Sequence, residues 1–298
     1  MLHVACLTCN PLRPALDEHR VLRVAETLPD HDRARWLTRG IAAEIPFETS
    51  GSANIAALLA AVREALDGVP VDVNILPAEG RRKKLLIADM DSTMIEQECV
   101  DELAVYAGVY RHIAGITERA MRGEIVFEAA LRERVALLKG LPETIVQRVL
   151  KERICVTPGA RVLVRTMRGH GAYTALVSSG FVQFTRVVAR EIGFDEDRAN
   201  RLDMAEEKLA GTVAEPVLGR EAKREALLEL CARLGISPAE ALAVGDGAND
   251  LAMIGEAGLG VAFRAKPAVA EAARASVVHG DLTALLYLQG YAENDFVT

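Results

Sequence analysis

The sequence predicts an α/β protein in which a doubly wound, mainly parallel, Rossmann-like sheet carries a four-helix cap insertion and follows a small ferredoxin-like module. Three observations carry this reading. Apolar runs at 85–88, 172–177 and 241–244 stop abruptly at polar residues, as strands buried on both faces do. Amphipathic stretches separate the later runs, which is the alternation that a parallel sheet requires. Between the first run and the second, residues 97–155 show helical spacing without a strand signal.

Taken in order, residues 1–80 alternate apolar and amphipathic runs at 2–7, 15–28, 36–37, 41–47, 54–66 and 71–76. That is the order βαββαβ, the split pattern of small ferredoxin-like modules. The layout resembles ACT-type amino-acid-sensing domains by topology alone, and a structural or dimerising appendage fits it equally, so a homodimer stays open. The cluster Arg81-Arg82-Lys83-Lys84 reads as a solvated linker before the second unit, 81–298. In the cap, helices are expected at 99–106, 109–121, 125–138 and 143–153, punctuated by Gly108, Gly123 and Gly140-Leu141-Pro142. A helical insertion directly after a strand end sits over whatever that strand end carries.

The sheet pattern resumes at Thr157-Pro158, where a capping Thr and an N1 proline are expected to open a helix that closes near Gly169. The strand 172–177 ends in Ser178-Ser179-Gly180, and a helix is expected from 181 to 192, which would set Ser178 beside free helix N-terminal amides. Residues 202–213 read as a hairpin and 220–234 as an amphipathic helix with Lys223 in its first turn, an odd place for a cation unless an anion lies near. The strand 241–244 ends in Gly245-Asp246-Gly247-Ala248-Asn249-Asp250, whose glycines allow close backbone approach and unusual dihedrals. Strand and helix signals then alternate at 251–257, 260–263, 267–275, 277–278 and 282–291.

Composition excludes several classes. Half of the residues are hydrophobic, ample for a core, and the net charge of -7 leaves no general basic field for nucleic acid. No apolar run approaches the roughly 18 residues that a membrane span needs. The five cysteines form an odd, scattered set, and Cys6-Leu7-Thr8-Cys9 lacks the second pair that a zinc site requires. With no cationic-plus-apolar leader at its start, the sequence reads as a reduced, cytoplasmic protein.

The chemistry gathers at strand ends. Asp89 and Asp91 are two apart, so in extended backbone both carboxylates leave the same side of the chain. Alone, this D-x-D-S-T is compatible with a solvated turn. Converging carboxylates nevertheless suit a hard cation, and a sparse oxygen set that leaves room for water and phosphate suits Mg2+. In a parallel sheet, Asp89, Asp91, Ser178, Lys223, Asp246, Asn249 and Asp250 come to one edge. Together they can perform phosphoryl transfer: a cation on Asp89 and Asp246, Lys223 and Ser178 spreading phosphate charge, Asp89 as nucleophile and Asp91 as acid and then base.

Asp89-Met90-Asp91-Ser92-Thr93, the Ser178 turn, Lys223 and Gly245-Asp246-Gly247-Ala248-Asn249-Asp250 resemble the four motifs of haloacid dehalogenase-superfamily phosphatases over about residues 85–290. The resemblance is closest to the branch that hydrolyses O-phospho-L-serine, the last step of serine synthesis. It implies that the Asp91 carbonyl joins the metal shell, with Thr93 and Asp250 in support. It assigns Arg134 to the substrate carboxylate, Glu98 to its ammonium, and Met121 with Phe127 to an apolar lid, and it adds Asn249 to the substrate contacts. A zwitterionic substrate wants one cation and one anion, and an Arg fork matches a carboxylate. Ser179 departs from the second glycine usual in the family, where a backbone donor to phosphate is expected. A related phosphotransferase, a general small-phosphomonoester phosphatase and an amino-acid-sensing regulator are the alternatives.

Overall fold

The computed structural model describes residues 1–50, 54–121 and 124–298, Met121 by its backbone alone. The chain opens with β1 (Leu2–Cys9), α1 (Glu18–Ala25), β2 (Arg35–Thr38), β3 (Ala42–Glu48), α2 (Ile55–Ala65) and β4 (Val71–Pro77), which is the βαββαβ order expected. Among the described residues these strands form an antiparallel sheet in the order β2-β3-β1-β4. Asp17 and Asn54 open the two helices by accepting from the main-chain N–H groups of Arg20 and Ala57, as short polar caps do.

The second unit begins with β5 (Leu85–Ala88), fully buried along its length. Helices α3 (Cys99–Ala107), α4 (Tyr110–Met121), α5 (Phe127–Ala136) and α6 (Glu143–Glu152) follow, with no strand between them among the described residues. The chain leaves for this helical segment and returns through a short antiparallel stem. Ile95 pairs with Val156, and the N–H groups of Glu96 and Thr157 donate to Cys155 and Met94.

Then come α7 (Ala160–Gly169), β6 (Tyr173–Phe181), α8 (Val182–Ile192), β7 (Glu196–Asn200), β8 (Leu202–Ala205), β9 (Lys208–Val213), α9 (Arg220–Leu234) and β10 (Ala241–Gly245). The chain finishes with α10 (Leu251–Glu256), β11 (Leu259–Phe263), α11 (Pro267–Ala272), β12 (Ala275–Val277) and α12 (Ala284–Leu288). Among the described residues a six-stranded sheet runs in the order β12-β11-β10-β5-β6-β7, and every pairing in it is parallel. β5 is therefore central. Leu85 and Ile87 pack on one face with Leu227, Leu230 and Met253, while Leu86 and Ala88 face the larger cluster around Leu163, Met167 and Leu286. Such two-sided burial, about 1.5–3 kcal/mol per large aliphatic side chain, explains the unbroken apolar run. β8 and β9 form the separate hairpin expected at 202–213.

Several features differ from the expectations. Helix α7 starts at Ala160, not at Thr157-Pro158, because its N-cap is Gly159 with φ +83°, and a Cβ there would meet the Thr283 nitrogen at 2.6 Å. Strand β6 runs on through Ser178, Ser179 and Gly180 to Phe181, with a register shift against β7 between Val177 and Phe181, so α8 begins only at Val182. Ser178 thus lies in an irregular strand end and not at a helix N-terminus. Arg81 is no solvated linker residue either. Its guanidinium is largely buried, donating to Glu44 at 2.8 Å and to the Leu288 and Tyr287 carbonyls at 2.9 and 3.0 Å. The carbonyl ends of α12 and the Glu44 carboxylate give that cation partners on both sides.

The two sheets are also joined directly. Asp72 of β4 accepts from the N–H groups of Val278, His279 and Gly280, and the Asn74 amide exchanges two hydrogen bonds with the Ser276 main chain. The loop after β12 is thereby held by side chains of the first module.

Candidate active site

The site is built at the carboxyl ends of β5, β6 and β10, where open parallel sheets leave a crevice. Asp89 follows β5, and its backbone remains extended, as does that of Asp91 (φ -65°, ψ 136°). Between Asp91 and Thr93, Ser92 takes φ +55°, a left-handed conformation that a non-glycine residue holds only when its surroundings fix it. Two hydrogen bonds do so: Ser92 Oγ donates to Glu98 Oε1 at 2.7 Å, and its N–H donates to the Gln97 carbonyl.

The two aspartates do not converge on one partner. Asp89 Oδ1 lies 2.7 Å from Lys223 Nζ, whereas Asp91 accepts from the Cys99 N–H at 3.0 Å, at the start of α3, and from Ser178 Oγ at 3.4 Å. Lys223 is 1% exposed and is also 2.6 Å from Asp250 Oδ1. Asp89, Asp246 and Asp250 each offer a carboxylate oxygen, and these atoms lie within 4.8 Å of one another. Oxygen-only and crowded, with Asp89 and Asp250 buried and Asp246 half-buried, this set fits a hard divalent cation.

Electrostatics explain the need for one. Burial, then Asp250, push the Asp89 carboxyl well above the usual range, with Lys223 opposing. Burial pushes Asp91 up despite the Cys99 contacts, and burial with Asp250 pushes Asp246 up to about 6. Lys223 is held charged: burial disfavours its ammonium, but Asp250 and Asp89 outweigh burial and raise its pKa. Lys223, with Lys266 also favouring the charge on Asp246, does not match four acids, and a divalent cation reduces the excess of negative charge.

Glycines shape the cradle by allowing close approach. A Cβ on Gly180 would lie 2.7 Å from Asp91 Oδ2, and one on Gly245 would lie 2.3 Å from Asp250 Cγ. Gly245 and Gly247 have no positive φ, so it is space and not the unusual dihedrals expected that calls for glycine there. Gly180 N–H donates to Ser178 Oγ at 2.8 Å. Among the described residues the buried Ser179 hydroxyl has no hydrogen-bond partner, while its carbonyl accepts from Asn200. Thr93 Oγ1 is 3.4 Å from Asp246 Oδ1, and the Gly247 N–H donates to Asp250 Oδ2 at 3.0 Å. Asn249 lies in the same turn, half-buried, its Oδ1 where a Gly247 Cβ would fall.

Above the acids, Glu98 and Arg134 approach from the helical segment. Burial, then Asp91, push the Glu98 carboxyl up to about 7. Burial lowers the Arg134 pKa while Asp101, Glu98 and Asp91 favour its charge, and its guanidinium reaches only the Ala130 carbonyl and Thr117 Oγ1 among the described residues. Phe127 opens α5 beside Gly219, the N-cap of the Lys223 helix. The Met121 side chain lies outside the described residues.

Two participants carry no motif signal. Cys99 supplies its N–H to Asp91, which the predicted start of a helix near that position could have suggested. Asn200, at the end of β7, bonds both the Ser179 carbonyl and Leu218, and nothing in its charged neighbourhood marks it.

The model of the haloacid dehalogenase-like hydrolases matches residues 83–258, the span that holds the three clustered carboxylates and Lys223. The chain belongs to that family. Within it, the chain's relatives bear a more specific name. The phosphoserine phosphatase of Albidiferax ferrireducens is 48% identical over 210 residues, covering 69% of this chain and 89% of the relative. A solved phospho-aspartyl intermediate analogue of phosphoserine phosphatase is 40% identical, with a TM-score of 0.65 over 69% of this chain and 98% of its own. A hydrolase of the same superfamily from Salmonella enterica serovar Typhi matches 96% of this chain and 98% of its own, at 28% identity and a TM-score of 0.85.

Proposed function

We propose that this chain hydrolyses O-phospho-L-serine to L-serine and inorganic phosphate, with a phosphoryl group carried transiently on Asp89. The observation that carries the reading is the contact of buried Lys223 with both Asp89 and Asp250, which joins the first, third and fourth predicted motifs in one cluster. The relatives' name supports the substrate. The pairing of an acid, Glu98, with a cation that has no carboxylate partner among the described residues, Arg134, supports a zwitterion as ligand.

Lys223 holds one Asp89 oxygen, leaving the other to attack phosphorus. Asp91, its carboxyl pushed up by burial, keeps a proton for the departing serine alkoxide as the phosphorus–oxygen bond breaks. Asp91 then takes a proton from the water that cleaves the aspartyl-phosphate, which frees Asp89 and phosphate. Ser178 Oγ and the Gly180 N–H line the phosphate's resting place, with the Ser179 main chain between them. Glu98 pairs with the substrate ammonium, Arg134 with its carboxylate, and Phe127 covers the apolar stem; Asn249 lies beside the substrate. Asp89, Asp246 and Asp250 would hold Mg2+, with the Asp91 carbonyl as a further ligand and Thr93 steadying Asp246. When bound, the ion supplies positive charge against the phosphate.

The first 80 residues are assigned a docked accessory role beside the catalytic unit, supported by the Asp72, Asn74 and Arg81 ties. A reduced, cytoplasmic setting is supported by free thiols at all five cysteines. Phosphate release from a panel of small phosphomonoesters, with and without EDTA, tests the whole. Phosphoserine should lead and EDTA should abolish turnover; another ester preferred by about tenfold, equivalent to about 1.4 kcal/mol of discrimination, would remove the substrate assignment.

A further inference from the structure

Two segments far apart in sequence shape the phosphate end of the site. One is the irregular end of β6 with Ser178, Ser179 and Gly180; the other is the stretch ending at Leu218-Gly219 that launches the Lys223 helix. Among the described residues no main-chain hydrogen bond outside the strand ladders joins residues 178–181 to residues 214–223. The helix start is not fixed by a side-chain cap of its own, since Gly219 stands at the N-cap. The Lys223 ammonium is held by Asp89 and Asp250 and the Ser178 hydroxyl by Asp91, but the backbones that carry them need a tie of their own.

We propose that Asn200 is the positioning residue that supplies this tie, by clamping both segments with one buried carboxamide. Asn200 is 2% exposed. Its Nδ2 donates to the Ser179 carbonyl at 2.8 Å and to the Leu218 carbonyl at 3.1 Å, and its Oδ1 accepts from the Leu218 N–H at 2.7 Å. Both amide hydrogens and an oxygen lone pair are thus satisfied by main chain, which fixes the amide's orientation. Main-chain partners also mean that the clamp holds backbone and leaves the catalytic side chains free for ligand. β7 is positioned for this by its register: after the shift between Val177 and Phe181, Asn200 pairs with Phe181 and so lies level with the turn it holds.

The inference rests on the reading of Ser178 and Lys223 as phosphate ligands, and the phosphate-affinity arm of its test does not require phosphoserine to be the substrate. Asn200→Asp is isosteric and keeps the acceptor for Leu218, yet it loses both donors and sets a carboxylate against two carbonyls. In the Mg2+-loaded full chain, inorganic phosphate affinity and L-serine affinity are measured by calorimetry, together with kcat and KM. The expected result is a loss of phosphate affinity and kcat of about tenfold or more, with L-serine affinity unchanged within about twofold, because only the phosphate end is displaced.

Asn74 serves as control: it too binds main chain through a buried amide, at Ser276 and not at the site. Asn74→Asp should lower Tm while leaving phosphate affinity intact. If Asn200→Asp does not fold, Asn200→Ser, which keeps a hydroxyl donor, gives the comparison. Parallel loss of phosphate and serine affinity, or no loss of either, would overturn the proposal. A wild type that binds phosphate but does not hydrolyse phosphoserine would instead overturn the substrate reading and leave the clamp standing.

Discussion

Lys223 and Glu98 show how single groups here are set by their neighbours. Lys223 sits between Asp89 and Asp250, so its charge is retained in a place that burial alone would forbid. Asp89→Asn keeps the shape of the side chain but removes the attacking oxygen's charge. It should lower kcat by about a thousandfold or more, with no phospho-enzyme in a rapid-quench experiment. Substantial residual turnover would rule out a covalent step through Asp89. For Glu98 the titration is moved up to about 7 by burial and then Asp91, so it is partly neutral at neutral pH and gains charge as the pH rises. If it pairs with an ammonium, kcat/KM should climb between about pH 6 and 8, and Glu98→Gln should erase that part of the profile. In the metal-free chain the raised carboxyl also opposes folding once ionised, so Glu98→Gln should raise Tm more at alkaline than at acid pH.

Elements that were legible in the sequence were those with strong periodicity or a hard stop. The apolar run 85–88 ending at Asp89 could be little else than a central strand, and it is one. The β6–α8 boundary was not legible, because Ser178-Ser179-Gly180 looks like a turn until its pairing partner is known, and the partner's register shift is a tertiary fact. Thr157-Pro158 misled for a similar reason: local capping chemistry pointed to a helix start, but Gly159 packs against the Thr283 main chain and sets the start later. Arg81 looked solvated because its partners, Glu44 and the end of α12, lie far along the chain. The candidate site was legible where its residues repeat a motif and illegible at Asn200, whose bonds are all to main chain. Gly180 carries the element-scale prediction. Gly180→Ala should fold with little change in circular dichroism, since φ is not positive there, yet lose about a hundredfold in kcat as the new Cβ displaces the Asp91 carboxylate. Activity within a few-fold of wild type would show that Asp91 does not need its present position.

At the scale of the molecule, the antiparallel module and the parallel sheet are fastened by Asp72, Asn74 and Arg81 rather than strung on a linker. Asp72 accepts from three consecutive N–H groups after β12, so Asp72→Ala leaves those donors without their acceptor and should cost about 2 kcal/mol in urea unfolding. The chain of residues 1–298 should unfold in a single transition. A fragment of residues 81–298 should melt at lower temperature; one as stable as the whole chain would mean that the docking contributes nothing.

The paired stem at Ile95 and Val156 has a further consequence. Because the polypeptide departs and re-enters at adjoining points, the four helices form a plug-in whose length and sequence can vary without rethreading any strand of the parallel sheet. Selectivity could therefore diverge by exchanging that plug-in while the reacting acids beneath it stay where they are, so grafting another family member's helices onto this stem is a direct route to altered ester preference.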